Sequence, residues 1–469
     1  MKLFLKIVAF FSALLFLLGG TTESVIGFTD GDPIIAEKVD YCFNDDKLLI
    51  GAYYGDIDHV EEAAEAGIEF FIEGSVDDAF LDKCAENGIG VIAAGYNLPS
   101  AYGTLSDGCR DAWVNFDYSK YKDHPALWGD DMIDEPGAYS YDNIAAALNA
   151  YYANTDGKLA LVNLFPEYAN NDQLQEYPET DSRRDFWLST SNNGVENGVS
   201  YKMYVSDYIN KLPVDYICMD FYPYNSKQNA FGKEVKATNE YWLPNLDILA
   251  EACRETNRDL WVITQAAGET EKGDPDGNHP RWCDEVSDIS QQAYASLAFG
   301  AKAIIHAEFS AKGWWDPEHS HMIDIDGNTT ATYDAVKEVD GYLAYFADEY
   351  GQYKYESTYM INPVKVAGKR SSKLAVTVPG EAIDLVTSNG LLVGTFSGED
   401  GKAYVITNME ELNNSVSAYF EYIVPHGTTI TVYKQGKKFL YNSGSLVSVT
   451  LEPGEGVFVT TTGTAGPIC

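Results

Sequence analysis

The sequence is poor in the residue patterns on which metal, redox and nucleotide sites depend. Its seven cysteines are scattered without a CxxC pair, and its seven histidines form no HExxH motif. A zinc ribbon, a thioredoxin-type site and a catalytic zinc site are therefore without support. No GxGxxG sequence follows the first apolar run, which argues against a dinucleotide-binding fold. We expect no metal and no other cofactor.

Basic residues are also scarce. The chain has 32 Lys and Arg against 71 Asp and Glu, which gives a formal net charge of −39. A surface of this sign repels phosphate backbones and anionic head groups. Nucleic-acid and membrane partners are therefore not expected, and the charge is read as a solvated surface that keeps the protein dispersed.

Long apolar runs are confined to the amino terminus. Residues 1–20 contain two lysines, then an apolar stretch too short to span a bilayer comfortably, then small residues. This layout is typical of a secretory signal peptide. We therefore expect residues 1–22 to be a signal peptide and the protein to be secreted, either extracellular or at the cell surface.

Short apolar runs recur along the next part of the chain, separated by segments of helical periodicity. We count eight such runs, at residues 48–54, 69–73, 90–95, 127–135, 158–165, 215–223, 259–265 and 301–309. Runs this apolar are typical of parallel strands that are buried on both faces. Eightfold strand and helix alternation fits a (β/α)₈ barrel better than an open doubly wound sheet. We place the barrel at residues 40–351.

The segments between the runs contain helix start and stop signals. Ser75 and Ser140 can cap the helices that follow them, and Asp288 precedes a helix that ends at Gly300. The longer gap at residues 170–194 reads as an extended loop over the barrel mouth.

After residue 351 the pattern changes to strand alternation with glycine turns. The runs LLVGTF, KAYVITNM, TITVYKQ, LVSVTL and GVFVTTT have no helices between them. We therefore expect a small all-β sandwich domain at residues 352–469. Its role is taken as structural, because no carboxylate cluster or aromatic stripe stands out in it.

The carboxyl ends of the eight runs are acidic and aromatic, and this is where a (β/α)₈ barrel forms its site. No strand end supplies the lysine or arginine that phosphate chemistry would want. Aromatic rings stack on sugar faces, and two carboxylates can do acid and base work on a glycosidic bond. The residues at or just beyond the strand ends are Asp56, Glu73, Asp131, Asp134, Glu135, Asp220, Glu269 and Glu308, with Tyr54, Asn163, Tyr222, Tyr224, Gln265, Trp314 and Trp315.

At the fourth run the chain resembles the glycoside hydrolases of clan A, whose barrels carry Asn-Glu-Pro at the end of strand four. Here the motif reads Asp134-Glu135-Pro136. Most of the chain looks similar to beta-galactosidase-like bacterial secreted proteins, through runs such as NLFPEYA, DYICMDFYPY, LWVITQAAG and SLAFGAKAII. The resemblance implies a hydrolase of O-glycosyl bonds, with Glu135 as its acid/base catalyst and proton donor.

The seventh run departs from that clan, whose nucleophile is a Glu at this position. This chain has Gln265 there, and an amide cannot form the glycosyl ester. The candidates for the second carboxylate are Asp220, Glu308 and Glu269, in that order. Asp220 could instead anchor the turn that follows it, and Glu308 could be a salt-bridged rim residue.

Two functions follow from these residues. The first is cleavage of a glycosidic bond, with β the expected linkage, in an oligosaccharide or polysaccharide. The second is a glycan-binding or surface interaction protein that retains the barrel without catalysis, which the amide at position 265 supports. A pKa of Glu135 above its ordinary value is expected if a closed site buries it beside Asp134. The residues expected to bind the substrate are Tyr54, Asp134, Asn163, Tyr222, Gln265, Glu269, Trp314 and Trp315.

Overall fold

The structure is a computed structural model of the 469-residue chain. It describes residues 34–73, 76–180, 184, 198–228, 234–268, 283–311, 321–361, 386–387, 390–399, 401–410, 412 and 416–463. The expected signal peptide lies outside the described residues, and so do Ser75, Glu269, Trp314 and Trp315. None of the described helices is long and apolar enough to cross a membrane.

Eight parallel strands close into a barrel. Their order is β1-β2-β3-β5-β6-β7-β10-β11, and β11 pairs back with β1. Each apolar run of the sequence forms one of these strands, so the predicted (β/α)₈ barrel is confirmed. The described strands before residue 352, which include the eight barrel strands, are β1 (Leu49–Tyr53), β2 (Phe70–Glu73), β3 (Gly90–Ala93), β4 (Ala101–Tyr102), β5 (Leu127–Asp134), β6 (Leu159–Leu164), β7 (Tyr216–Phe221), β8 (Tyr224–Gln228), β9 (Glu234–Thr238), β10 (Asp259–Gln265) and β11 (Ala301–Ala307).

Aromatic rings fill the amino end of the barrel. The ring centroid of Trp128 lies 4.5 Å from that of Phe43 and 5.5 Å from that of Phe70, and Trp261 lies 5.7 Å from Phe70. Gly90 makes room for this packing, because a Cβ there would lie 2.1 Å from the Trp128 ring. These rings close the amino end of the barrel, so the carboxyl ends of the strands form its open mouth.

The helices pack around the barrel, and in the helix Val286–Ala298 every residue from Asp288 onward is buried. Three short 3₁₀ turns, Ile57–His59, Tyr118–Lys120 and Ala138–Ser140, supplement them. The α-helices are α1 (Val60–Ala66), α2 (Asp78–Glu86), α3 (Asp107–Val114), α4 (Tyr141–Tyr152), α5 (Asn171–Gln175), α6 (Gly198–Lys211), α7 (Trp242–Thr256), α8 (Val286–Ala298), α9 (Ala331–Ala344) and α10 (Ala347–Gly351).

The helix starts differ from two sequence expectations. Helix α2 is capped by Asp77, whose side chain accepts from the Phe80 N–H at 2.9 Å. Ser140 precedes α4 but does not cap it, because its Oγ accepts from the Leu105 N–H at 3.0 Å. Asp288 lies inside α8, where it completes a capping box with Glu285. Asp77 and Glu285 contact residues three positions further along the chain, whereas the partner of Ser140, Leu105, is distant in the sequence.

Residues 170–194, between β6 and α6, are predicted to be a loop. The described part of this segment contains the short helix α5, which begins with a capping box between Asn170 and Gln173. The segment therefore has local order beside the mouth.

All of the regular secondary structure described after α10 consists of β-strands. The five strands expected there are confirmed as β14, β15, β17, β19 and β20, and four more pair with them. The complete set is β12 (Lys354–Ile361), β13 (Val386–Thr387), β14 (Leu391–Gly398), β15 (Gly401–Asn408), β16 (Ala418–Ile423), β17 (Thr429–Lys434), β18 (Lys437–Asn442), β19 (Leu446–Leu451) and β20 (Gly456–Thr462).

These strands form two stacked antiparallel sheets, so the expected sandwich is confirmed. The larger has the order β12-β14-β15-β20-β17-β18 and the smaller β13-β16-β19. The larger sheet is apolar on both faces, because its second face packs on the barrel. There Phe458 stacks on Phe346 at 5.1 Å, and Phe396 meets Tyr350 at 5.5 Å. The sandwich and the barrel therefore share one hydrophobic core.

Among the described cysteines, Cys42, Cys109, Cys218, Cys253 and Cys283 form no disulfide. Cys218 is fully buried in β7, as expected for a small core residue rather than a nucleophile.

Gly394 of the sandwich lies close to the backbone of α8. A Cβ at this position would lie 2.1 Å from the carbonyl oxygen of Ala298. We expect Gly394→Ala to lower the free energy of unfolding by about 1–3 kcal/mol, because the strand and the helix must move apart. Urea denaturation measures the change.

Gly341 provides the matched control, since a Cβ there has no heavy atom within 4 Å and the residue lies in α9. Gly341→Ala should raise the free energy of unfolding by about 0.5–1 kcal/mol. Equal effects of the two substitutions would show that the sheet and helix do not meet as closely as described.

Candidate active site

Four carboxylates gather at the carboxyl ends of β5 and β7. We call Asp131, Asp134, Glu135 and Asp220 the acidic cluster. Three of them come from β5 or the residue after it, and Asp220 comes from β7. The structure thus brings together Glu135 and Asp220, the two residues ranked first from the sequence as proton donor and second carboxylate.

An irregularity in β5 places Asp131 and Asp134 on the same face. Asp131 pairs with Leu161 of β6, whereas Ile133 pairs with the next residue, so Met132 is an extra residue in β5. Side chains alternate along a regular strand, and residues three apart would face opposite sides. The bulge lets both carboxylates face the barrel interior. Asp130 faces outward and accepts hydrogen bonds from Tyr121 and Tyr151.

Asn163 links two members of the cluster. Its Nδ2 donates to Asp134 Oδ1 at 2.8 Å and to Asp220 Oδ1 at 2.9 Å. A single amide nitrogen therefore holds two carboxylates within two hydrogen-bond lengths of each other. Asn163 is 2% exposed, so water screens this pair poorly.

Glu135 sits at the rim with its backbone in the left-handed region, at φ 49°. Its N–H donates to the carbonyl oxygen of Asn163 at 2.9 Å, and Tyr102 donates to its Oε2 at 2.7 Å. Burial, then the charges of Asp220 and Asp134, raise the pKa of Glu135 to about 9, although the Tyr102 hydrogen bond lowers it. The expected upward shift is confirmed in direction, and Glu135 holds its proton at neutral pH.

The deeper carboxylates are perturbed in the same direction. Burial and the charge of Asp134 raise the pKa of Asp220 to about 7, against hydrogen bonds from Asn163 and Tyr222. Burial and Asp134 also raise the pKa of Asp131 to about 8, against a 3.3 Å hydrogen bond from Ser100. The cluster therefore contains groups with different proton affinities, as acid and base work requires.

Tyrosines line the acidic cluster. Tyr222 is 9% exposed and hydrogen-bonds Asp220, as its assignment to the site requires. Tyr53 also lies there, since the charges of Asp131 and Asp134 raise its pKa after burial. Tyr54, the residue chosen from the sequence, follows the last residue of β1 in a left-handed conformation at φ 57°, its ring 5.7 Å from that of Tyr53.

Gln265 lies in a different environment from the acidic cluster. It is fully buried, its Oε1 accepts from the Tyr224 N–H at 3.1 Å, and its Nε2 donates to the Ala267 carbonyl at 3.2 Å. Gln292 of α8 bonds its main chain on both sides. The side chain expected to bind substrate thus ties β10 to the segment after β7.

Glu308 is fully buried, and its Oε2 lies 3.6 Å from Nδ1 of His321. The structure therefore gives it a histidine neighbour. Among the described residues, no three His, Cys, Asp or Glu side chains are arranged to hold a metal ion. Glu269, Trp314 and Trp315 lie outside the described residues, so their assignments stay predictions.

The structure adds Asp131, Tyr53, Ser100 and Tyr102 to the site. Asp131 is one of the acidic residues at the strand ends. The sequence alone does not show that Asp131 faces the barrel interior while its neighbour Asp130 faces outward, because this depends on the bulge. Tyr53, the residue before Tyr54, lies near Asp131 and Asp134, and the assignment of Tyr54 to the site stays a prediction. Tyr102 carried no sequence signal, because its bond to Glu135 joins segments that only the fold brings together.

The buried carboxyl of Asp131 makes stability depend on pH. Its pKa is about 8 in the folded chain, above its ordinary value of 3.8, so between these values the unfolded chain loses a proton that the folded chain keeps. Stability from this group is present at low pH and is lost as the pH rises through that window. Asp131→Asn removes the loss, and we expect its advantage over the wild type to grow by about 1–3 kcal/mol from pH 4 to pH 8.

Urea denaturation at several pH values tests this expectation. Asp326→Asn, at an exposed carboxyl, provides the control and should show no such growth. Parallel stability curves for Asp131→Asn and the wild type would show that Asp131 is ionised in the folded chain.

No protein-family model matches the chain, and no curated protein sequence matches it. Solved structures do. One described as a glycoside hydrolase is 12% identical, with a TM-score of 0.48, over 93% of this chain and 98% of that one. A GH42 beta-galactosidase from G. stearothermophilus is 10% identical, with a TM-score of 0.47, over 91% and 100%.

A beta-galactosidase from the psychrophilic Marinomonas ef1 is 11% identical, with a TM-score of 0.43. The match covers 65% of this chain and spans 60% of that protein's length. The three solved structures are described as a glycoside hydrolase and two beta-galactosidases, and identities this low concern the fold alone.

Proposed function

We propose that the protein is a secreted glycoside hydrolase in which Glu135 donates a proton to the leaving oxygen and Asp220 is the second carboxylate. The observation that carries this proposal is the acidic cluster itself. One of its carboxyls keeps its proton at neutral pH, and a second, electrostatically coupled carboxyl ionises more readily. Glycosidic cleavage needs such a pair, one group as acid and the other as nucleophile or base.

The geometry assigns a role to each oxygen of Glu135. Tyr102 donates to Oε2, which leaves Oε1 to carry the transferred proton. The proton moves to the glycosidic oxygen as the bond from that oxygen to the anomeric carbon breaks. The positive charge that develops on the sugar ring is stabilised by the ionised carboxylate of Asp220, which attacks the anomeric carbon or activates water.

Asp134 and Asn163 position the pair. Asn163 fixes the orientation of both Asp134 and Asp220 through one nitrogen, and Asp134 can accept a bond from a sugar hydroxyl. The negative charge of Asp134 raises the pKa of both Glu135 and Asp220. It therefore helps Glu135 keep the proton that it must donate.

The net charge of −39 and the amino-terminal run support export and a neutral saccharide substrate, either an oligosaccharide or a polysaccharide. One observation favours the second candidate function, glycan binding without cleavage. Gln265 occupies the position of the clan's nucleophile, and its side chain forms hydrogen bonds with the main chain.

We expect Glu135→Gln to keep the fold and saccharide binding but to lower kcat about 10²- to 10⁴-fold, because an amide of equal size cannot protonate the leaving oxygen. The loss should be largest on glycosides with poor leaving groups and smaller on dinitrophenyl glycosides. Asp130→Asn is the matched control, since it changes a carboxylate of the same strand that faces outward, and its kcat should stay near the wild-type value.

Variants of the second carboxylate complete this experiment. Loss of turnover in Asp220→Asn as complete as in Glu135→Gln supports the assignment. Near wild-type turnover in Asp220→Asn, together with an inactive Glu308→Gln, would transfer the role to Glu308. A wild type without turnover on any glycoside would favour the binding protein.

The pKa shifts predict a bell-shaped dependence of kcat/KM on pH. Activity should rise as Asp220 ionises, through about 7, and fall as Glu135 loses its proton, through about 9. Because the groups interact, the two limbs belong to the cluster rather than to single residues. Kinetics across the pH range measure them, and an optimum below about pH 5 would contradict the assignment.

A further inference from the structure

An exposed tyrosine is held rigidly beside the proposed acid. Tyr102 is 68% exposed, yet it lies in β4, which pairs with the end of β5 through Tyr102 and Asp134. The N–H of the next residue, Gly103, donates to the Asp134 carbonyl at 2.8 Å, and the Gly103 carbonyl accepts from Gly137 at 3.1 Å. The ring is thus presented to solvent by a backbone that is fixed on both sides.

A second exposed ring lies on the segment that Gly103 contacts. Tyr139 follows Gly137 by two residues, is 41% exposed, and meets the ring of Tyr177 edge-on at 5.8 Å. The neighbouring Thr104 donates to Glu176 Oε2 at 2.7 Å, which ties the Tyr177 segment to the same place. We call Tyr102 and Tyr139 the aromatic strip.

The strip lies on one side of the acidic cluster. A general acid faces the oxygen of the bond that it cleaves, so groups that touch it flank the leaving group. The hydroxyl of Tyr102 touches Glu135. The strip therefore begins where the departing part of the substrate begins, and Tyr139 extends it on the segment that is hydrogen-bonded to Gly103.

We propose that the aromatic strip binds the sugar rings on the leaving-group side of the scissile bond, so that the substrate is a saccharide with at least two sugars beyond that bond. This inference rests on the proposed function and deepens it. Aromatic faces stack on the apolar faces of sugar rings. The rigid presentation of the rings reduces the ordering cost of binding.

The alternative role of Tyr102 is to orient Glu135 through its hydroxyl alone. Tyr102→Phe removes the hydroxyl and keeps the ring, and Tyr102→Ala removes both. The difference between these two variants isolates the ring. Loss of the hydroxyl alone should move the alkaline limb of the pH profile upward, because its hydrogen bond lowers the pKa of Glu135.

The experiment compares β-linked gluco-, galacto- and xylo-oligosaccharides of two to five sugars with the matching β-glycosyl fluorides. The fluorides have no sugar on the leaving-group side. On the oligosaccharides, KM of Tyr102→Ala should exceed that of Tyr102→Phe about tenfold. On the fluorides the two variants should have the same kcat/KM. Tyr139→Ala should raise KM on the longer oligosaccharides more than on the disaccharides.

Equal KM values for Tyr102→Ala and Tyr102→Phe on every oligosaccharide would overturn the inference. The proposed hydrolase function would still stand. A wild type that cleaves nothing would instead reject the proposed function, and calorimetry with the same oligosaccharides then tests the strip. Weaker binding by Tyr102→Ala than by Tyr102→Phe would keep the strip as a saccharide platform. Equal or absent binding would remove it.

Discussion

Burial of neighbouring carboxylates, which also repel one another, is the constraint on which the site of this protein depends. Burial raises the pKa of Asp131, Asp220 and Glu135, and the charge of Asp134 raises it further, because little water is present to screen that charge. Like charges this close cannot all ionise near neutral pH. Asn163 donates hydrogen bonds to two of the four carboxylates, Asp134 and Asp220. Protonation relieves the remaining repulsion, and Glu135 holds one of these protons.

Apolar packing elsewhere in the barrel offsets the cost of burying these carboxylates. The amino end of the barrel is packed with rings of Phe43, Phe70, Trp128 and Trp261, which supply apolar burial away from the site. The carboxyl ends then carry polar groups that contribute little to stability. One bulge in β5 turns Asp131 and Asp134 to the same side. Stability and chemistry are thus divided between the two ends of the same strands.

Strand β10, which pairs with β7 beside the acidic cluster, is held by polar contacts instead. Gln265 joins β10 to the start of β8, and Tyr224 continues the network to Asp288 and Gln291 of α8. Lys236 of β9 pairs with Asp288 at 2.5 Å in a fully buried contact. Helix α8 also supports the sandwich, through Ala298 and Gly394. The second domain therefore buttresses a helix that shapes the mouth.

The sequence by itself determined the eight strands, the change to an all-β domain, and the placement of Glu135 and Asp220 at strand ends. These depend on local periodicity, and the ends of parallel strands meet wherever a barrel closes. Tertiary structure decided which acidic residues face inward, because the bulge opposite β6 shifts the alternation by one. It also placed Tyr53 beside Asp131 and Asp134, bound Gln265 to the main chain of a neighbouring segment, and brought Tyr102 to Glu135. Each of these outcomes depends on a partner distant in the chain, and local periodicity carries no information about such partners.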